Sequence, residues 1–174
     1  MALVANNQQL QLPRPHGLGG KNSCGKVYNT LKSENPTLYE RLRSSQSLTL
    51  PEILYCKRPI SGSPVNHDFL VLHLGDNGED HYYVLAEKRE EGIFIKWYSR
   101  PDSVSASLDC KGGPVGLVNV ERNLESFDPC YDLESSNCKH YARDIAKKLI
   151  NAMPNLSDDE KKVECDKVDD IPWL

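Results

Sequence analysis

From Cys138 onward the apolar residues recur at helical spacing, so that Tyr141, Ala142, Ile145, Ala146, Leu149 and Ile150 form one unbroken stripe. The opposite face carries Lys139, Arg143, Asp144, Lys147 and Lys148. A stripe of this width must be buried, and Ser135 or Ser136 is placed to cap the start of the helix that bears it. Cys138 then occupies the first turn, where unpaired backbone N–H groups and the helix dipole favour an anion. That setting makes a thiolate available near neutral pH. The same position also suits a small buried hydrophobe, and spacing alone leaves both readings open. His140 lies roughly 200° further round the helix and points away from the thiol. A general base must therefore come from elsewhere in the chain.

The layer that covers this stripe is expected to be a sheet. His67 to Leu74 is a near-continuous apolar run, which predicts a strand with both faces covered. Gly75-Asp76-Asn77-Gly78 is a strong turn signal, and His81 to Ala86 supplies the second strand. Gly92 opens a third, with Ile93, Ile95 and Trp97 on one side, and Val115 to Val120 can add a fourth after a loop over 101–114. Upstream, short helices are predicted over Val27 to Leu31, after the Asn35-Pro36 cap, and after Thr49-Leu50-Pro51. Downstream, Ser157 and Glu160 form a capping box for a last helix, and Trp173 is expected to dock the terminus. The order of helices, an antiparallel meander and a long helix predicts an α+β fold.

The chain has 174 residues, 39% hydrophobic and 26% charged, which suits one domain over 23–174 behind a flexible, Gln-, Pro- and Gly-containing arm over 1–22. Its formal net charge of −4, with no basic stripe, argues against a nucleic-acid partner or attraction to anionic membranes. No stretch reaches the roughly 18 apolar residues that span a bilayer. Residues 1–20 lack the apolar segment of a secretory signal, so a soluble, cytoplasmic protein is expected. Six cysteines (Cys24, Cys56, Cys110, Cys130, Cys138 and Cys165) show neither a CxxC pair nor zinc-ligand spacing. In the cytosol all six are expected to be reduced; in an oxidising compartment Cys138 is expected to be the one left free.

A thiolate nucleophile needs an imidazole within hydrogen-bond reach and a third group to hold that imidazole in one orientation. Three histidines fall on the predicted strands, His67, His73 and His81. His67 and His73 share a face by parity, so either can supply the base. No metal and no cofactor is expected, since only Asp68 and Asp80 lie at short spacing from these imidazoles.

Asn137-Cys138-Lys139-His140-Tyr141 resembles the Asn-Cys-x-His-Phe signature of the lecithin retinol acyltransferase family, within the permuted papain-fold thiol enzymes. His67, the apolar run to Leu74, Gly75-Asp76 and His81 resemble that family's strand histidine, its Gly-Asp turn and its second histidine. The resemblance implies a permuted papain-like α+β fold in which Cys138 is the nucleophile, His67 the base and His81 its orienting partner, with His73 the alternate base. Tyr141 and Lys139 depart from the family's Phe and acidic residue. The strand histidine and later Asn-Cys helix are also similar to the PPPDE peptidases. These resemblances imply a hydrolase or acyltransferase working through a thioester, on an acyl-lipid or a ubiquitin-like isopeptide. The Cys138 backbone N–H is expected in the oxyanion hole, with Asn137 in support. If chemistry is absent, the same fold serves as a protein-interaction module, binding through its surface or its Trp173 tail.

Overall fold

In this computed structural model residues 25–174 are described; the arm expected over 1–22 lies outside the described residues. The described residues form an α+β structure with one mixed sheet of six strands and five helices. The strands are β1 (Lys26–Asn29), β2 (Leu48–Pro59), β3 (Asn66–Asp76), β4 (Asp80–Arg89), β5 (Gly92–Tyr98) and β6 (Ala106–Pro114), ordered β1-β5-β4-β3-β2-β6. Only the β1–β5 pair is parallel; every other neighbour is antiparallel. The helices are α1 (Leu31–Glu34), α2 (Pro36–Ser44), α3 (Leu117–Leu124), α4 (Cys138–Ala152) and α5 (Asp158–Asp169).

Strand β3 is buried on both sides because alternate residues meet different partners. Leu70, Leu72 and Leu74 join the core that contains Tyr141, Ile145, Ala146, Leu149 and Ile150 of α4. Phe69 and Val71 join a smaller cluster with Leu54, Cys56 and Leu85. The β3–β4 hairpin turns through Asn77 and Gly78, both with positive φ (53° and 74°), the conformation that Asn and Gly tolerate best. Gly92 is required for a second reason: a Cβ there would run into the backbone of Lys26, so the β1–β5 pairing needs a bare backbone.

Several elements differ from the sequence reading. The stretch after Val27 is strand β1, not a helix, and α1 starts only at Leu31. Thr49-Leu50-Pro51, read as a helix start, lies inside β2. Pro51 falls where the register of β2 shifts against both β3 and β6, so its missing N–H removes no ladder bond there. The expected fourth strand over 115–120 is α3, whose buried Leu117, Val120, Glu121 and Leu124 follow a period of three to four. The sixth strand comes instead from 106–114, where buried Leu108 and Cys110 alternate with exposed Ser107, Asp109 and Lys111.

The last helix opens on the anticipated capping box, with Glu160 N–H donating to Ser157 Oγ at 3.1 Å and Ser157 N–H to Glu160 Oε1 at 2.9 Å. Beyond it the chain returns to α4. Arg143 donates to the carbonyls of Val168 and Ile171, and its guanidinium carbon lies 4.3 Å from the Trp173 ring centroid. No helix among the described residues is long and apolar enough to cross a membrane.

Candidate active site

Helix α4 begins at Cys138, and its cap is Asn137, one residue beyond the serines expected to cap it. The Asn137 side-chain oxygen accepts from the N–H groups of Lys139 (2.8 Å) and His140 (3.2 Å), and the Asn137 N–H reaches back to His140 Nδ1 at 3.4 Å. This capping box occupies every N–H of the first turn except that of Cys138. Tyr131 stands beside Cys138, on the wall of the same small cavity. The Asn137 side-chain nitrogen donates to the Leu133 carbonyl at 2.8 Å, so both of its polar atoms are engaged by the cap and the loop before it. His140 is turned from the sulfur, with its ring 5.2 Å from that of Trp173.

The Cys138 side chain meets His67 near the start of β3. His67 is 3% exposed, its Nε2 lies 2.7 Å from Oε1 of Glu87 on β4, and it shares the wall of one small cavity with Cys138. With Nε2 held by the carboxylate, Nδ1 is the nitrogen left to face sulfur. Burial opposes a charge on this ring, but the hydrogen bonds to Cys138 and Glu87 outweigh it and raise the His67 pKa to about 9. Burial also works against charge on Glu87, yet its bond to His67 holds the carboxyl below the usual range. Sulfur, imidazole and carboxylate thus form one connected chain.

The other two sheet histidines lie elsewhere. His81 pairs across from Gly75, near the turn end of the hairpin, whereas His67 lies at its open end. The expected contact of His81 with His67 is therefore absent, because strand register separates them along the full length of β3. His81 Nδ1 instead lies 2.8 Å from His73 Nε2, and His73 Nδ1 lies 2.9 Å from Glu52 Oε2. That pair does not approach Cys138, which removes His73 as an alternate base. No group of three or more His, Cys, Asp or Glu among the described residues is arranged to hold a metal.

Cys138, His67, Ile60, Lys88, Arg89, Glu90 and Tyr131 line a cavity of about 20 Å³. Such a space holds roughly one water. Its walls are tied down by buried charges. Lys88, with no exposed surface, donates to the carbonyls of Asp128 (2.7 Å) and Cys130 and to Ser136 Oγ, pinning the loop that carries Tyr131. Burial lowers the Lys88 pKa to about 8, against the pull of Asp128, Asp132 and Cys138. Beside Cys138, Lys139 Nζ donates to Asp68 Oδ1 at 2.9 Å and to the Asn66 carbonyl at 3.1 Å, and the Tyr55 hydroxyl donates to the second Asp68 oxygen. This pair ties the first turn of α4 to the start of β3. A larger hollow of about 610 Å³ beside Tyr39, Arg43 and Glu121 contains no thiol or imidazole.

Cys56, Cys110, Cys138 and Cys165 are free thiols, whereas Cys130 is disulfide-bonded. A disulfide beside a free Cys138 matches the expectation for an oxidising compartment and not the one for the cytosol. Burial pushes the Cys56 and Cys110 thiols up to about 12, and neither faces an imidazole. Glu87 and Tyr131 were not anticipated from the sequence. Glu87 and Lys88 end a continuously buried run from Val84, and their charge hides that burial in the sequence. Tyr131 sits in a loop with no periodic signal. No protein-family model, no curated protein and no solved structure matches this chain.

Proposed function

We propose that this protein is a cysteine-nucleophile hydrolase or acyltransferase, in which Cys138 forms a thioester, His67 moves the proton and Glu87 orients His67. The observation that carries this reading is the run from Cys138 through His67 to Glu87, assembled where the Asn137 cap leaves the Cys138 N–H over at the helix start. In the reaction, sulfur adds to a carbonyl carbon and the C=O electron pair moves onto oxygen. As that pair returns, the bond to the leaving group breaks and the His67 imidazolium gives its proton to the departing atom. His67 then takes a proton from water or another acceptor, which attacks the thioester and restores the thiolate.

The His-before-Cys order and the Asn137-Cys138 motif support a permuted papain-like fold and a carbonyl substrate of the acyl-lipid or isopeptide kind. In the resembling acyltransferase family the orienting partner is a second histidine; here that place goes to Glu87. The test is acylation by p-nitrophenyl acetate. A burst of p-nitrophenolate is expected, with one acetyl group on Cys138 by peptide mass spectrometry and none in Cys138→Ala. Acetylation confined to lysines would sink the proposal.

A second reading has its own observation. Cys138 is only 6% exposed and its cavity of about 20 Å³ admits no acyl chain without movement of a wall. A protein-interaction module that keeps the fold fits that enclosure, and it predicts that Cys138→Ser leaves biological activity unchanged.

A further inference from the structure

Acyl transfer through Cys138 requires two donors on the oxygen that becomes negative, and the helix start supplies one of them, the Cys138 N–H. The geometry points to the Tyr131 hydroxyl as the second donor of the oxyanion hole. This inference rests on the thiol-enzyme reading above and extends it to a residue seven positions before the nucleophile.

Two observations converge on Tyr131. It stands beside Cys138, whose N–H is the one donor of the first turn that the Asn137 capping box leaves over. Its side chain also lines the cavity that holds the Cys138 sulfur and the His67 ring. A carbonyl oxygen arriving above the sulfur must lie against the Cys138 N–H, and in that position it also meets the phenol. Burial and the neighbouring Cys138 both oppose ionisation of Tyr131, so it keeps the proton that a donor needs. The tyrosine is held in place from behind. Lys88 binds the carbonyls of Asp128 and Cys130, the Cys130 N–H donates to Asp128 Oδ1 at 2.9 Å, and Lys88 also binds Ser136 Oγ on the far side of the loop. A donor fixed before substrate arrives needs little reorganisation when charge develops.

In the step served, the C–S bond forms as the C=O π pair moves onto oxygen. The Cys138 N–H and the Tyr131 O–H each donate to that oxygen without transferring a proton. Collapse expels p-nitrophenolate when p-nitrophenyl acetate is the probe.

The experiment compares two reactions of the full chain at the same sulfur. Acylation by p-nitrophenyl acetate develops an oxyanion, whereas alkylation by iodoacetamide displaces iodide at a saturated carbon and develops none. In Tyr131→Phe the acylation burst is expected to slow by about 100-fold or more, while alkylation of Cys138 stays within about threefold of the unsubstituted protein. A second variant, Tyr131→Gln, keeps a donor without the ring and is expected to acylate faster than Tyr131→Phe. Equal acylation in Tyr131→Phe and the unsubstituted protein overturns the inference. So does a parallel fall of both reactions, which marks a structural residue, or a parallel rise, which marks a plug. If the unsubstituted protein gives no burst and no acetyl-Cys138, the thiol-enzyme reading itself has failed.

Discussion

His67 and Glu87 stand 20 positions apart in sequence, yet Nε2 of one lies 2.7 Å from Oε1 of the other, on the two strands of a single hairpin. This ion pair, rather than a pair of histidines, is what orients the imidazole beside Cys138. Replacing Glu87 by Gln removes the charge while keeping the shape. We expect a fall of roughly 10²–10⁴-fold in turnover of an activated ester, with the His67 titration moving down from about 9 toward its ordinary range. The titration is read by NMR of the imidazole protons. His81→Ala is expected to change neither quantity, and a large loss there would return the orienting role to His81.

The raised pKa of His67 also sets a pH window. The folded protein holds this proton more tightly than the unfolded chain, whose value is the ordinary 6.5. The linked stability is therefore complete below pH 6.5 and is lost as the pH climbs through about 9. Urea midpoints measured across that interval should fall in the unsubstituted protein more than in His67→Gln. Ester turnover should decline on the same alkaline limb, because in the proposed reaction the imidazolium gives its proton to the leaving group.

Thiol reactivity offers a direct comparison within one chain. Iodoacetamide at mildly acidic pH should modify Cys138 ahead of Cys56 and Cys110, whose thiols burial has pushed up to about 12. Labelling should drop strongly in His67→Ala. Uniform slow labelling of every free cysteine, followed by peptide mass spectrometry, would count against an activated sulfur.

Asp68 has no exposed surface and binds Lys139 and Tyr55 at once. Asp68→Ala leaves the buried Lys139 ammonium without its carboxylate, and a loss of about 3–5 kcal/mol in unfolding free energy is expected. Chemical denaturation measures it. A double variant with Lys139→Met should recover part of that loss, since both charges are then gone. A double variant no more stable than the single one would mean that Asp68 acts through Tyr55 instead.

Much of this arrangement is legible in the amino acids themselves. The apolar stripe of α4, the Asn35-Pro36 and Ser157-Glu160 helix starts and the three strands from His67 to Tyr98 are local signals that tertiary packing reinforces. The two helices misread at Val27 and Thr49 share one cause, strand pairing that a local window does not show. Thr49-Leu50-Pro51 is a good helix start in isolation, but the ladders to β3 and β6 override it and absorb the proline at a register shift. At the site, Cys138 and His67 stand out by residue type and position, and Glu87 does not. Its partner is fixed by how far β4 runs alongside β3, a length no short motif records. Asn137 rather than a serine caps α4 because its longer side chain reaches two successive N–H groups.

Helix and hairpin contribute different atoms to the site, and neither half is reactive by itself. An unfolded or partly synthesised chain carries Cys138 as an ordinary thiol, since His67 reaches it only when α4 lies against β3 and β4. The pairing of sulfur with imidazole is thus a property of the assembled fold alone, gained only when α4 docks on the hairpin. The speed at which an electrophile captures that sulfur during refolding would time the docking, with no spectroscopic label added.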